Sequence, residues 1–124
     1  WKGPEPGERP SAYILCFLNR NWLKGSDKEA QFDLGIATQN LLLGAMEKGI
    51  GGCRIGAFSP KLADIFKLEQ HQELSLVVAL GYPAEQVAIE TSRDGDIKYW
   101  RDANELHHVP KRELSEILTT VEFK

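Results

Sequence analysis

The chain has 124 residues, of which 42% are hydrophobic, and its formal net charge at pH 7 is −3. This length suits one domain with its own core. The 15 basic residues are scattered along the chain, which argues against a nucleic-acid partner. No apolar run approaches the roughly 20 residues that span a bilayer, so we expect no membrane partner. Cys16 and Cys53 lack metal-type spacing and indicate reduced thiols, as in a cytoplasmic protein.

Residues 1–11 are rich in proline, glycine and charge, and we interpret them as a loop or linker before a domain at residues 12–124. Residues 13–18 form an uninterrupted apolar run that predicts a strand buried on both faces. The chain begins at Trp1 without an initiating methionine, so we expect a further segment upstream.

A long helix is predicted to follow this strand. Ser26 and Glu29 have the spacing of a capping box, and the helical pattern runs to about Lys48. Apolar residues surround the helix almost completely, so it is predicted to be buried on most sides. A chain of this size offers little to cover it, and we expect a second subunit to do so. Gln39 and Asn40 either hydrogen-bond across that interface or cap nearby loop backbone.

A glycine-rich run follows the helix at residues 49–58. A dinucleotide-binding fingerprint starting at Gly49 would need glycine where Arg54 stands, and a phosphate-binding P-loop starting at Gly51 would need lysine where Ala57 stands. Both motifs are therefore excluded. Two interpretations stay open, namely a helix C-cap at Gly49 followed by a loop without chemical use, and backbone that closely approaches a flat ligand.

The remaining pattern mixes short helices with strands. Helices are predicted from Ser59 to about Leu68 and, opened by Pro110, over residues 111–118. The other predicted elements are extended or turn segments: a buried strand at 74–80, a turn at 93–96, extended segments at 97–100 and 106–109, and an edge strand at 120–123. No repeated βαβ pattern is present, so the fold class is α+β.

No nucleophile, base and orienting group can be paired in the sequence, so the catalytic residues stay unknown. His107 and His108 are adjacent and would point to opposite faces of a strand, so they cannot both bind one metal ion. We predict no metal site. If the chain is an enzyme, a cofactor supplies its chemistry.

Four segments, in order, resemble the nitroreductase family of flavoproteins. They are residues 37–43 (Ala-Thr-Gln-Asn-Leu-Leu-Leu), the glycine run at 49–58, residues 77–83 (Val-Val-Ala-Leu-Gly-Tyr-Pro) and residues 109–118 (Val-Pro-Lys-Arg-Glu-Leu-Ser-Glu-Ile-Leu). The resemblance spans most of residues 12–118. It implies an α+β homodimer with a central sheet packed by the long helix and FMN at the subunit interface. It also implies electron transfer from NADH or NADPH to quinone or nitroaromatic acceptors.

The resemblance also implies cofactor-binding residues. Ile55, Gly56 and Ala57 match residues against the reactive edge of the flavin, where backbone N–H groups can hydrogen-bond N5 or O4. Lys111 and Arg112 match basic residues near the FMN phosphate. The alternative for this pair is a solvated position at a helix start, although a helix N-terminus disfavours cations.

Residues 1–25 do not resemble the family's N-terminal Arg-x-Ser-x-Arg type segment or the asparagine segment after it. We therefore expect that the chain lacks the N-terminal third of such a domain. Three explanations stay open: the chain is a proteolytic or engineered fragment, it is a natural truncation, or the missing part is on another chain. The flavin site would then be partial, with weak or absent FMN binding. The alternative function is a dimerising, non-catalytic remnant of the fold without cofactor, and a third is a small-ligand binding module unrelated to flavins.

Overall fold

The computed structural model describes residues 4–120. The chain forms two compact units, Trp1–Pro83 and Ala84–Lys124, and each is described here by itself. Both contain strands and short or long helices, which agrees with the predicted α+β class. No helix in the described part of the chain is both long enough and apolar enough to cross a membrane.

The N-terminal unit contains a three-stranded antiparallel sheet, here called sheet A. Its strands are β1 (Ala12–Asn19), β2 (Gly51–Ile55) and β3 (Gln72–Gly81), in the order β1-β3-β2. The central strand β3 supplies most of the buried core, since Val77, Val78 and Ala79 are all buried. The predicted buried strand at residues 74–80 is therefore confirmed, with one or two more residues at each end.

Strand β1 confirms the predicted strand, but its burial differs from the prediction. It lies at the edge of sheet A, and the side chains of Tyr13 and Phe17 are 50% and 39% exposed. Only Leu18 is buried in this strand. The apolar run therefore predicted the strand correctly, whereas burial on both faces is wrong for this chain alone, because a three-stranded sheet does not cover its edge strands.

Helix α1 (Asp27–Glu47) begins and ends where the sequence predicts. The Ser26 side chain accepts a hydrogen bond from the Glu29 N–H at 3.3 Å, and the Glu29 carboxylate accepts one from the Ser26 N–H at 2.7 Å. This capping box satisfies two N–H groups at the helix start and lowers the pKa of Glu29, mainly through the Ser26 backbone bond. At the other end Gly49 has φ +71°, a conformation that favours glycine in a helix C-cap.

Helix α1 is more exposed than its apolar pattern predicts. Only Ala30 and Thr38 are buried, and Thr38 donates a hydrogen bond to the Leu34 carbonyl at 2.8 Å. Gln39 and Asn40 are exposed. Large apolar side chains also remain exposed along the helix: Phe32, Ile36, Leu43 and Met46. Residues 4–120 therefore do not bury the helix on most sides.

The short helix after the glycine run, α2 (Lys61–Ile65), has Pro60 rather than the predicted Ser59 as its N-cap and ends three residues before the predicted Leu68. Ser59 accepts a hydrogen bond from the Lys61 N–H at 3.3 Å, as expected for a residue near a helix start. After the helix, Lys67 adopts the left-handed backbone conformation with φ +51°, and the chain then continues to β3.

The C-terminal unit contains a second three-stranded sheet, here called sheet B. Its strands are β4 (Val87–Thr91), β5 (Trp100–Arg101) and β6 (His107–Lys111), in the order β4-β6-β5. Strands β4 and β6 are parallel, and β5 is antiparallel to β6. The predicted turn at residues 93–96 is confirmed by a bridge between Arg93 and Asp96. Strand β4 was not predicted, and β5 is shorter than the predicted segment.

The helix predicted over residues 111–118 is wrong at its start. Pro110 is a buried residue of β6, paired with Glu90 in the parallel ladder, and helix α3 covers only Leu114–Ile117. The fixed φ of proline suits extended backbone as well as a first helical turn, so long-range pairing decides the outcome. Of the predicted edge strand at 120–123, residues 121–123 lie outside the described residues and Thr120 is not in a strand.

Candidate functional site

The glycine-rich run has three structural parts. Gly49 follows the C-cap residue Lys48 of α1, residues 51–55 form strand β2, and residues 56–58 continue beyond the strand. Strand β2 pairs with β3, for example Gly52 with Leu80 and Ile55 with Val77. The interpretation of the whole segment as a loop after a C-cap is therefore wrong, because pairing with β3 orders its centre as a strand.

Gly52 is required by the packing of the chain itself. A Cβ atom at this position would strike Leu42 Cδ2 of α1, and would lie only 2.9 Å from Leu80 Cδ2 of β3. The absence of a side chain lets the helix approach the sheet closely. Gly52 thus needs no ligand to explain it.

Gly56 has a different environment. A Cβ atom there would have no atom within 4 Å, so the packing of the described residues does not require glycine. Gly56 and Ala57 are exposed, and their N–H groups donate no hydrogen bond to residues 4–120. Ile55, at the end of β2, is half-buried and fixes where these amides begin. The segment therefore offers free backbone donors beside an open space, which fits the acceptor edge of a flat ligand such as flavin.

The two residues before Ile55 are also exposed. Cys53 is exposed on β2, and Cys16 on β1 is half-buried. Burial raises the pKa of the Cys16 thiol. Both cysteines are free, and Arg54 beside Cys53 is exposed as well.

Lys111 and Arg112 lie in the C-terminal unit, whereas Ile55, Gly56 and Ala57 lie in the N-terminal unit. Lys111 is the last residue of β6, and its carbonyl accepts a hydrogen bond from the Ser92 N–H at 2.8 Å. Both basic side chains are exposed, and neither forms an ion pair with a carboxylate of the described residues. Lys111 ends β6 and Arg112 directly precedes Glu113, the N-cap residue of α3, so the two solvated side chains lie just before a helix start.

Sequence reasoning missed a polar cluster around the two histidines of β6. His107 Nδ1 lies 3.1 Å from Glu85 Oε2, and His108 Nδ1 lies 2.8 Å from Glu90 Oε1. His108 Nε2 also lies 3.6 Å from Asp102 Oδ2. The two rings contact different groups, as predicted for neighbours on a strand. No local sequence signal reveals this cluster, because the acids approach the histidines only through the pairing of β4 and β5 with β6.

Charge and hydrogen bonding shift two pKa values in this cluster. The hydrogen bond to Glu90 is the main cause that raises the pKa of His108, and Asp102 adds to it against the opposing effect of burial. The pKa of Asp102 is lowered, chiefly by backbone N–H donors of Asn104 and Leu106. No group of at least three His, Cys, Asp or Glu side chains within residues 4–120 could hold a metal ion.

A comparison with family models matches residues 7–82 to the nitroreductase family. The matched segment contains helix α1, the glycine-rich run and nearly all of the third resembling segment, and it includes Ile55, Gly56 and Ala57. It does not extend to Lys111 and Arg112. The resemblance stated from the sequence is confirmed over the matched segment.

The two glycines of the run should respond differently to the same substitution. Gly52→Val should lower the free energy of unfolding by about 1–3 kcal/mol, because the added side chain strikes Leu42 and Leu80. Gly56→Val should change it by only about 0.5 kcal/mol, because the position is open. Urea unfolding of both variants checks this. Equal destabilisation by the two substitutions would contradict the assignment of the structural glycine.

Proposed function

The chain belongs to the nitroreductase family of flavin-type oxidoreductases, and we propose that it forms part of an FMN-dependent enzyme that oxidises NADH or NADPH. Bound FMN would supply the redox chemistry, accepting a hydride from the nicotinamide and passing electrons to a nitroaromatic or quinone acceptor. The observation that carries the proposal is the segment after β2, where free amides border an open space inside the matched residues.

We assign the contact with the reactive edge of the flavin to the backbone of Ile55, Gly56 and Ala57. Reduced flavin carries extra negative charge at this edge, and fixed N–H dipoles stabilise such charge without reorganising. The open space at Gly56 permits close approach of a flat ring. Because Ile55 belongs to the β2–β3 ladder, the strand end orients the two amides that follow it.

We assign binding of the FMN phosphate to Lys111 and Arg112. Both side chains are exposed and form no ion pair with the described carboxylates, so their charge is available to an anion. The hydrogen bond from Ser92 fixes the backbone of Lys111 at the end of β6. A phosphate carries about two negative charges, which two neighbouring cations can balance.

We further propose that the chain forms a homodimer through helix α1. Phe32, Ile36, Leu43 and Met46 are 59%, 62%, 49% and 66% exposed, and their spacing places them along one side of the helix. An exposed apolar row is typical of an interface between proteins, and here Gln39 is the polar residue within it. The free thiols Cys16 and Cys53 support a reducing location, which we propose to be the cytoplasm.

The flavin edge can be tested with Gly56→Val. FMN is titrated into the purified chain, and binding is followed by the flavin fluorescence. The branched side chain should occupy the open space and weaken FMN binding by about tenfold or more, with unfolding unchanged. Ala63→Val on α2 is the control for an added branched side chain. Unchanged affinity of the Gly56 variant would refute the assignment, and no binding by the wild-type chain would favour the non-catalytic remnant.

The phosphate assignment can be tested with the double variant Lys111→Ala/Arg112→Ala. It should weaken FMN binding by roughly a hundredfold, because two charge-assisted contacts are lost, and leave riboflavin binding within about twofold. Arg93→Ala/Lys98→Ala removes the same net charge from the same unit and serves as the control. Equal losses for FMN and riboflavin would show that the pair does not contact the phosphate.

The dimer can be tested with Ile36→Glu. A charge in the middle of the apolar row should raise the dissociation constant of the dimer at least about tenfold, because the carboxylate would be buried without a partner. Sedimentation velocity over a concentration series measures this. Ile65→Glu on α2, where the isoleucine is 67% exposed, is the matched control. A monomeric wild-type chain, or equal dissociation by the control, would refute the interface.

A further inference from the structure

His108 connects all three strands of sheet B. It lies on β6, Glu90 lies on the parallel neighbour β4, and Asp102 directly follows β5. One imidazole nitrogen is 2.8 Å from the Glu90 carboxylate, and the other is 3.6 Å from the Asp102 carboxylate. Nδ1 is within hydrogen-bond distance of Glu90, whereas Nε2 is beyond hydrogen-bond distance of Asp102, so Asp102 acts on the ring through its charge. The geometry is therefore that of an imidazolium ion between two carboxylates.

The ring of His108 is also held between its neighbours by packing. The indole of Trp100, its partner on β5, stacks on it with 4.8 Å between ring centroids and 1° between the planes. This stacking favours the charged imidazole, because the indole face attracts cations. The side chain of His108 is only 16% exposed, so water screens its ion pairs less than at an open surface.

The other charged groups of the sheet belong to a separate cluster. Glu85 contacts both Arg101 and His107, and His107 packs edge-on against Tyr99. His107 and His108 are neighbours on a strand and point to opposite faces. The groups that face His108 from β4, from β5 and from the turn after it are thus Glu90, Trp100 and Asp102, of which two are titratable.

Few buried residues stabilise sheet B. Among the described residues of this unit only Ser92 and Pro110 are buried, and Ser92 Oγ has no hydrogen-bond partner there. Strand β5 contains two residues, and β4 leaves Val87 and Ile89 exposed. A unit with so small an apolar core depends more on its polar contacts than the N-terminal unit does.

We propose that His108 is a proton-controlled latch of sheet B, which holds β4 and the turn after β5 against β6 when protonated and releases them when neutral. Neutral His108 can keep a hydrogen bond to Glu90, but it loses the charge attraction to both Glu90 and Asp102, so the strands lose a shared ionic partner. The latch is independent of the proposed flavin function, because it requires only contacts within the C-terminal unit.

The direction of the pH dependence follows from the pKa shifts. The pKa of folded His108 is raised, so its contribution to stability is fully present below the unfolded pKa of about 6.5 and is lost as the pH rises through the folded pKa. The pKa of Asp102 is lowered, so its contribution is present above about 3.8 and is lost as the pH falls through its folded pKa. The latch is therefore closed in mildly acidic solution and opens toward alkaline pH.

Opening of the latch acts on residues beyond His108. The ladder between β4 and β6 continues to the pair Thr91 and Lys111, and the Ser92 N–H donates to the Lys111 carbonyl. Loosening of β4 would therefore release the backbone of Lys111. We therefore expect the backbone of Lys111, at the end of β6, to be ordered at mildly acidic pH and more mobile at alkaline pH.

The test uses the full chain, isotopically labelled, between about pH 5 and pH 8.5. NMR measures the pKa of His108 and the exchange of the β4 amides, after correction for the intrinsic pH dependence of exchange. Protection of β4 should fall as His108 loses its proton, by up to about tenfold for each pH unit by which the measured pKa exceeds 6.5. Protection that stays constant through the titration would overturn the latch.

Variants distinguish the latch from general loosening of the sheet. His108→Gln should remove the pH-dependent fall, whereas His107→Gln, its neighbour on the other face, should retain it. Glu90→Gln should move the midpoint of the fall to lower pH, because the main partner of the imidazolium loses its charge. A fall that survives in His108→Gln, or a midpoint that Glu90→Gln does not move, would refute the proposal, and the Glu90 variant decides if His108→Gln does not fold.

Discussion

Helix α1 and sheet A meet where the sheet has no side chain. Leu42 of the helix reaches the surface of the sheet at Gly52 near Leu80, and a larger residue at that position would force these leucine side chains to shift. The contact fixes how closely the helix lies against β2 and β3, and it therefore affects the burial of the core residues Val77 to Ala79. Because β2 is held in this way, the position at which it ends is also fixed. The free amides of Gly56 and Ala57 follow that end, so the geometry of the candidate site depends on the packing of the helix.

The glycine-rich run thus contains glycines with different physical roles. Gly49 is needed for its positive φ at the end of α1, Gly52 for the close approach of the helix, and Gly56 for neither of these reasons. A motif considered only as a sequence cannot separate these roles, because all three glycines contribute equally to the pattern. The structure separates them, since it shows what a side chain would meet at each position. Of these three, only Gly56 stands where a ligand could explain the absence of a side chain.

The features that the sequence predicts well are those that near neighbours determine. The capping box of Ser26 and Glu29, the C-cap at Gly49 and the turn at 93–96 each involve residues a few positions apart. Strand β2, strand β4 and the place of Pro110 in β6 were missed, because each depends on pairing with a distant segment that overrides a local preference. The candidate flavin residues were accessible only through the family resemblance. The cluster around His108 was not accessible at all, since its acids are brought together by the register of sheet B.

The two units differ in what stabilises them. The N-terminal unit buries Leu18, Ala30, Val77, Val78 and Ala79, none of which can titrate. In the described part of the C-terminal unit only Ser92 and Pro110 are buried, and histidine–carboxylate contacts link its strands. Deprotonation of His108 should therefore act on sheet B, whereas burial of the apolar row of α1 in the proposed dimer would act on the N-terminal unit. Within the C-terminal unit, loss of the His108 proton would act on Lys111 through the β4–β6 ladder. Within the N-terminal unit, the position of the amides after β2 depends on the packing of α1.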